Sequence, residues 1–179
     1  RQIYVDLGRV DEYATWVKDI DFVNISDAEL DNDMYESAEK QYLQNDHKKS
    51  ILSFKKYLQN FPNGLHKINA NFYLAQSLFS NNDHTEAIPY YTFVVNQDQN
   101  EFTENALSRL ALLYLENNNW NSAIPVLERL EKESDQAQNR IFAQSNLMKG
   151  YYAKENYNNA VNYAELVLKD SKIEDRIKS

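Results

Sequence analysis

Asn118-Asn119-Trp120-Asn121-Ser122-Ala123 is one of four six-residue segments that align along the chain without gaps. The other three are Asn45-Asp46-His47-Lys48-Lys49-Ser50, Asn82-Asp83-His84-Thr85-Glu86-Ala87 and Glu155-Asn156-Tyr157-Asn158-Asn159-Ala160. Their small last residues lie 37, 36 and 37 positions apart, and a further step of 37 backwards reaches Tyr13. Self-similarity at a fixed period of this length is typical of helical repeat proteins. The sequence therefore predicts four full repeats with partial repeats at both ends.

Each repeat contains two segments whose apolar residues recur at helical spacing, with a polar turn between them. Small residues recur in two columns, at places where the two helices of a hairpin must approach closely. The first column is Ser50, Ala87, Ala123 and Ala160, and the second is Ala38, Ala75 and Ala111. We therefore predict an all-α fold, a right-handed α-solenoid of helix-turn-helix repeats built as a single array over residues 1–179. Its predicted parts are a partial repeat at 1–25, full repeats at 26–64, 65–100, 101–135 and 136–170, and the start of a further repeat at 171–179.

The composition supports this fold class and excludes several functions. Three glycines and three prolines in 179 residues are too few for an architecture of strands and tight turns. The net charge of −8 argues against a nucleic-acid partner, which would need a basic surface. The absence of cysteine excludes disulfides, thiol catalysis and cysteine-ligated metals. No apolar run approaches the ~20 residues of a membrane span, so we expect no direct membrane insertion.

The repeats resemble the tetratricopeptide repeat (TPR), whose pattern combines spaced apolar residues, Leu-Gly/Ala, Tyr, Ala-x3-Phe and a later Pro. The best match is Leu107-x2-Leu110-Ala111-x2-Tyr114 followed by Ala123-x3-Leu127, and Ser50-x3-Phe54 with Pro62 matches the end of the motif. The period is longer than the usual ~34 residues, and the closing proline occurs only at Pro62. The resemblance implies a protein-interaction module whose first helices line a concave face.

Part of the chain is also similar to envelope TPR proteins of Gram-negative bacteria, namely the coordinator of the Tol–Pal system and the lipoprotein of the outer-membrane barrel-assembly machinery. The similarity lies in Phe54-Lys55-Lys56-Tyr57-Leu58-Gln59-Asn60-Phe61-Pro62-Asn63-Gly64 and in Ala70-Asn71-Phe72-Tyr73-Leu74-Ala75. This resemblance implies a periplasmic or outer-membrane-associated scaffold in a cell-envelope assembly. A cytoplasmic location is the alternative, because many cytoplasmic TPR proteins share the same residues.

No arrangement of residues indicates catalysis, so we predict a protein that is not an enzyme and needs no cofactor or metal. His47 and His84 occupy the same slot of successive repeats, about 10 Å apart, which is too far for one zinc ion. His66 is expected to be an isolated turn residue. An acidic cluster is expected on an exposed helix start, where acids favour the positive end of the helix dipole: Asp31, Asp33, Glu36 and Glu39.

Helix starts are indicated by two local patterns. Ser26-x-x-Glu29 and Asp83-x-x-Glu86 predict capping boxes, in which the side chains at both ends of the motif bond to backbone amides. Pro89 and Pro125 are expected within the first turn of second helices, where a missing N–H costs little.

The resemblance to TPR proteins places the candidate binding residues on the first helices. They are Tyr35, Glu39, Tyr42, Asn69, Phe72, Gln76, Phe79, Asn105, Ser108 and Leu112. We expect Tyr35, Phe72 and Phe79 to be apolar anchors, while Asn69 and Gln76 hold the backbone of an extended peptide. The alternative is that about half of the aromatic residues on this face are buried against neighbouring helices. The column of Asn32, Asn69 and Asn105 has a similar alternative, as ordinary polar residues in the first turn of each helix.

The sequence thus predicts a scaffold that binds a partner protein or an extended peptide through the concave face. Residues 1–50 hold 6 basic and 12 acidic residues, a net charge of −6, which would steer a basic partner towards the protein. Two other functions are compatible with the sequence. The chain is a structural spacer whose partners are flanking repeats of the same protein, or it is an adaptor segment of a larger multidomain protein.

Overall fold

The computed structural model describes residues 1–18, 20 and 25–169, and within these ranges the chain forms α-helices joined by short turns, with no β-strand. The prediction of an all-α fold is confirmed. The helices belong to two compact units, Arg1–Gln97 and Asp98–Ser179. In the described ranges, no helix is both long enough and apolar enough to cross a membrane.

The first unit is built from helix hairpins. Its described helices are α1 (Gln2–Asp6), α2 (Val10–Lys18), α3 (Asp27–Leu43), α4 (His47–Asn60), α5 (Lys67–Ser80) and α6 (His84–Val95). Helix α3 packs on α4, α4 on α5 and α5 on α6, and α3 also contacts α1, α2 and α5. The core between them is rich in aromatic residues, because Phe54, Tyr57 and Tyr91 are fully buried together with Leu74 and Leu78.

The second unit repeats the hairpin arrangement. Its described helices are α7 (Thr103–Glu116), α8 (Trp120–Glu133), α9 (Ala137–Ala153) and α10 (Tyr157–Lys169). Each packs on the next along the chain, and the core is aliphatic, with Leu107, Leu127, Leu130 and Leu147 fully buried. The predicted start of a further repeat at 171–179 lies outside the described residues.

The turns inside the described hairpins share one backbone geometry. A residue with a positive φ between 52° and 71° follows the first helix in each: Gly8, Asn45, Asn82, Asn118 and Glu155. At Asn45 the amide donates to the Tyr42 carbonyl at 2.9 Å, and the next amide, that of Asp46, donates to the Gln41 carbonyl at 3.0 Å. Equivalent bonds recur at the other four turns, which is the Schellman pattern. Glycine adopts this backbone freely and asparagine at low cost, so asparagine recurs in this column.

Glu155 is the exception in this column, because its longer side chain gains nothing from the left-handed backbone. We expect Glu155→Gly to raise the free energy of unfolding by about 0.5–1 kcal/mol, since the strain at Cβ is removed. Asn118→Gly is the matched control and should change stability less. Urea denaturation followed by circular dichroism measures both. A Glu155→Gly protein that is less stable than the wild type would contradict the strain assigned to Glu155.

The small residues of the two sequence columns lie in the cores of the two units. All seven are buried, and Ser50, Ala87 and Ala123 expose no surface at all. In the first unit, the hydroxyls of Ser50 and Ser77 form a hydrogen bond of 2.8 Å between α4 and α5. Burial of these positions agrees with helices that pack closely there, and the Ser50–Ser77 bond joins the second helix of one hairpin to the first helix of the next.

Filling one of these positions should destabilise the second unit. Ala123→Leu adds an isobutyl group to a site without free surface, and such overpacking costs about 1–3 kcal/mol. Lys132→Leu, on the exposed side of the same helix α8, adds apolar volume without a clash and should stay within about 0.5 kcal/mol of the wild type. Equal melting temperatures for the two variants would count against this packing.

The prolines of the second helices lie deeper than predicted. Pro89 and Pro125 are the sixth residues of α6 and α8, in the second helical turn, so the expectation of a first-turn position is wrong. There each proline removes one hydrogen bond to the carbonyl four residues earlier. Both rings lie on the exposed side of their helix, where water can hydrate the freed carbonyl.

The predicted capping boxes have different outcomes. Ser26 and Glu29 form both reciprocal bonds at the start of α3, as predicted. Asp83 is the N-cap residue of α6, but its side chain accepts no bond from that helix. Its carboxylate instead accepts a hydrogen bond of 2.6 Å from the Asn81 side chain, which draws it away from the helix amides.

Candidate binding surface

Two of the predicted site residues, Tyr35 and Glu39, are joined by a hydrogen bond in the first unit. Tyr35 donates a hydrogen bond of 2.6 Å to the Glu39 carboxylate one turn later in α3. Burial raises the pKa of Tyr35, and the hydrogen bond and negative charge of Glu39 raise it further. The phenol therefore stays a neutral donor that fixes the Glu39 carboxylate.

Tyr35 and Phe72 do not have the exposure expected of anchors. Their residues are only 5% and 6% exposed, because Tyr35 packs against Phe54 and Tyr57 while Phe72 packs edge-on against Tyr91. A ring covered by a neighbouring helix offers a partner almost no contact area. The expectation of exposed anchors is thus corrected at these two positions.

His66 is also corrected, because it is not an isolated turn residue. Its ring stacks on Tyr35, with centroids 4.2 Å apart and planes 12° apart, and its Nε2 lies 2.6 Å from Oδ1 of Asn32. The Asn32 amide of the asparagine column is therefore engaged inside the first unit rather than aligned for a ligand. Asn105, in the second unit, is exposed.

The partly exposed aromatic residues of this face are Tyr42 and Phe79, near the ends of α3 and α5. Tyr42 lies against Tyr73, with ring centroids 4.7 Å apart, and Phe79 stacks on His84 at 4.7 Å with planes 11° apart. Each ring is backed by a second ring, so its outer surface is held in place. Glu39 and Gln76 lie one turn before them in the same helices and are also half-buried.

In the second unit, the predicted residues lie along one side of α7. Asn105 is exposed, and Ser108 and Leu112 are half-buried at the following turns. The slot of His47 and His84 is filled here by Trp120 and Tyr157, each the first residue of its helix. Among the described residues there is no group of three or more histidine, cysteine or acidic side chains that could hold a metal ion.

Sequence reasoning missed a buried carboxylate that organises the end of the first hairpin. Asp31 was expected on an exposed helix start but is only 5% exposed. It accepts a hydrogen bond of 2.5 Å from the Tyr57 hydroxyl and one of 2.8 Å from the Leu65 amide, while the Tyr57 oxygen accepts from the His66 amide at 3.1 Å. Burial and the bond to Asp31 raise the pKa of Tyr57. These hydrogen bonds among Asp31, Tyr57, Leu65 and His66, called the Asp31 node below, fix the loop that leads into α5.

Gly64 belongs to the same node. A Cβ at this position would lie 2.5 Å from the Tyr57 oxygen and 2.9 Å from Oδ2 of Asp31, so no side chain fits. The stretch from Phe54 to Gly64, called the envelope-like stretch below, ends in Phe-Pro-Asn-Gly. Glycine is needed at its last position because it lets the loop close on the buried Asp31.

Asp33 is the second acid whose expected exposure is corrected. It is 3% exposed and receives two bonds of 2.7 Å from the Arg1 guanidinium, which tie the start of the chain to α3. The hydrogen bond that Arg1 donates to Asp33, only partly offset by burial, raises the pKa of Arg1.

Glu104 of the second unit occupies the same register position as Asp31, 73 residues later. Its carboxylate accepts bonds from the Ser134 hydroxyl, from the Asn139 amide at 2.7 Å and from two backbone amides of the loop after α8. Burial opposes ionisation, but these bonds outweigh it and hold the pKa of Glu104 below its ordinary value. A signal for these buried acids was present in the sequence. At this position of the four successive repeats, acids at 31 and 104 alternate with Ile68 and Ile141.

Comparison with known proteins identifies the repeat family. A protein-family model described as "Tetratricopeptide repeat-like domain" matches residues 21–165. The chain belongs to this TPR-like family. A search of curated proteins finds no match to its sequence.

Solved structures share the TPR-like fold over nearly the whole chain. A MamA double mutant from strain RS-1 matches with a TM-score of 0.58 and 17% identity, over 98% of this chain and 92% of that chain. MamA 41-end from Desulfovibrio magneticus RS-1 matches with 0.57 and 17%, over 97% and 92%. A kinesin light chain variant from Podosopora anserina with nearly identical TPR-like repeats matches with 0.57 and 16%, over 98% and 92%. At these identities the likeness concerns the fold alone.

The TPR-like fold is typical of protein-interaction scaffolds and is generally not catalytic. In such repeats the first helix of each hairpin carries the inner surface. In the first unit of this TPR-like chain, the first helices α3 and α5 leave Tyr42, Gln76 and Phe79 partly exposed, while Tyr35 and Phe72 are buried.

Proposed function

We propose that the chain is a scaffold that binds a partner protein or an extended peptide along the first-helix face. The observation that carries the proposal is the pair of partly exposed rings, Tyr42 and Phe79, each immobilised by a second ring. Rigid aromatic side chains lose little entropy on binding and usually dominate an interface. In the second unit, Asn105, Ser108 and Leu112 form the corresponding face of α7.

The polar residues of the face give the proposed partner its orientation. Gln76 can donate to and accept from a peptide backbone, and Glu39 is held in place by Tyr35 as a fixed acceptor. The excess of acid in residues 1–50, a net charge of −6, favours a basic partner segment. Association is therefore expected to weaken as salt is raised.

We further propose that the partner belongs to a bacterial cell-envelope assembly, in the periplasm or at the outer membrane. The support is the similarity of the envelope-like stretch, from Phe54 to Gly64, to envelope TPR proteins of Gram-negative bacteria. A partner that fractionates with the cytosol would contradict this location.

Site-specific photo-crosslinking in cells tests the proposed face. Benzoylphenylalanine replaces Gln76, which lies beside the proposed anchors without being one, and in a control strain it replaces Leu52, which is 69% exposed on α4. We expect a defined crosslinked product from position 76 and none of the same mass from position 52. The same product from both positions, or only from position 52, would move the binding site off the first-helix face.

A further inference from the structure

Two aromatic rings of the first-helix face recur one repeat apart in the first unit. Tyr42 of α3 and Phe79 of α5 lie 37 positions apart in the sequence, and both are half-buried. Helices α3 and α5 are in contact, so equivalent positions on them are separated by about 10 Å, the usual distance between packed helix axes. Tyr73 holds the first ring and His84 the second. A ligand on this face therefore meets two fixed flat surfaces at a defined spacing.

A pair of polar side chains runs beside the two rings. Glu39 and Gln76 lie three residues before the rings in the same helices, about 4.5 Å away along each helix axis, and both are half-buried. The Tyr35 hydroxyl bonds to Oε1 of Glu39 at 2.6 Å, so the second carboxylate oxygen can accept from a ligand. The Gln76 amide can both donate and accept. The face thus combines a pair of rings with a parallel pair of polar groups.

The spacing of the rings restricts the backbone conformation of an extended ligand. In a β-strand, side chains on one side are about 6.6 Å or about 13 Å apart, and neither distance matches two rings separated by about 10 Å. In a polyproline II helix, every third residue returns to the same side after about 9.3 Å. Prolines three residues apart would therefore place one pyrrolidine ring on each aromatic ring, in the manner of other aromatic grooves that bind proline-rich segments.

An α-helical ligand is the alternative that the spacing alone leaves open, because residues seven apart in an α-helix are separated by about 10.5 Å. The polar pair distinguishes the two conformations. The backbone groups of a helix interior are bonded to one another, whereas a polyproline II backbone has no internal hydrogen bonds and needs outside partners. Glu39 and Gln76 supply an acceptor and a mixed donor and acceptor beside the rings, which favours the polyproline II ligand.

We propose that the first-helix face binds a polyproline II segment of a partner protein, with prolines at positions i and i+3 on Tyr42 and Phe79. A lysine or arginine between the two prolines faces Glu39, and Gln76 bonds to the peptide backbone. The net charge of −6 in residues 1–50 attracts the basic residue. This inference rests on the proposed function and specifies the conformation and chemistry of its ligand.

Two synthetic peptides of identical composition test the spacing. The matched peptide is a fluorescent twelve-residue chain of four Pro-Lys-Ala units, and its isomer carries the four prolines at alternate positions, so that no two are three residues apart. Both are titrated with the full chain and followed by anisotropy. We expect saturable binding of the matched peptide and about tenfold weaker binding of the isomer, although the two have the same charge and proline content.

Protein variants test whether the matched peptide lies on the two rings. Tyr42→Ala and Phe79→Ala should each weaken its binding about tenfold, while Leu52→Ala, at a position 69% exposed on α4, should bind as the wild type does. Circular dichroism verifies that the variants remain folded. The comparison of the two isomers uses the wild-type chain and decides the spacing even where a variant does not fold.

Three results would overturn the proposal. The first is absence of saturable binding by the matched peptide, or equal affinities of the two isomers. The second is folded ring variants that bind the matched peptide as tightly as Leu52→Ala does. The third is tighter binding of an alanine-rich helical peptide that carries four lysines and two phenylalanines seven positions apart. A partner that still crosslinks at position 76 in any of these cases would leave the first-helix face as the binding site and remove only its polyproline II ligand.

Discussion

Asp31→Ala is expected to lower the free energy of unfolding by about 3 kcal/mol. The substitution leaves the Tyr57 hydroxyl and the Leu65 amide without the acceptor that now lies 2.5 Å and 2.8 Å away. Each buried donor that loses its partner costs about 1–3 kcal/mol, and the fully buried Tyr57 cannot turn to water. Urea denaturation of the full chain measures the loss.

Glu36→Ala is the matched control, because it removes an exposed carboxylate from the same helix α3. It should change stability by no more than about 0.5 kcal/mol. Adding Tyr57→Phe to Asp31→Ala should cost less than Tyr57→Phe alone, since the hydroxyl has already lost its acceptor. Additive effects of the two substitutions, or equal effects of Asp31→Ala and Glu36→Ala, would show that the node does not stabilise the fold.

Phe54→Ala is expected to cost about 3–5 kcal/mol, the range for a large buried aromatic side chain. Phe54 exposes no surface and lies between two rings, with centroids 6.2 Å from Tyr35 and 6.1 Å from Tyr73. Its removal leaves a cavity beneath the proposed binding face. Thermal unfolding measures the loss, and binding of the partner should weaken in parallel because Tyr35 and Tyr73 lose their support.

Leu52→Ala serves as the control for Phe54→Ala, because Leu52 is 69% exposed on the same helix α4. Its unfolding temperature should remain close to that of the wild type. If Phe54→Ala unfolds within a degree or two of Leu52→Ala, the Ser50-x3-Phe54 motif does not hold the core of the first hairpin.

The repeat period predicted the helix pairs because two local structural requirements recur once in each repeat. A turn with positive φ needs glycine or asparagine, and close helix contact needs a small residue such as Ala123. Both constraints recur at one position per repeat, so they are visible in the sequence alone. Glu155 is neither glycine nor asparagine, but its segment could still be aligned with the other repeats because the neighbouring residues match them.

Exposure on the first-helix face could not be predicted with the same accuracy. Helical spacing places Tyr35 and Phe72 on the same face as Tyr42 and Phe79, but it does not say how far the next helix covers each ring. Asp31 was missed for a related reason, because its partners Tyr57 and Leu65 are 26 and 34 residues away. A charged residue near the start of a helix ordinarily faces water, and only the returning loop makes Asp31, the fifth residue of α3, buried.

Calorimetric titration of the partner recovered by crosslinking at position 76 tests the central proposal most directly. The proteins compared are the wild type, Tyr42→Ala, Phe79→Ala and the control Lys132→Ala on the exposed side of α8, each verified as folded by its melting curve. Binding through the first-helix face predicts that loss of either ring weakens affinity about thirtyfold, roughly 2 kcal/mol, while Lys132→Ala binds as the wild type does. Folded Tyr42→Ala and Phe79→Ala proteins that bind as tightly as Lys132→Ala would contradict it.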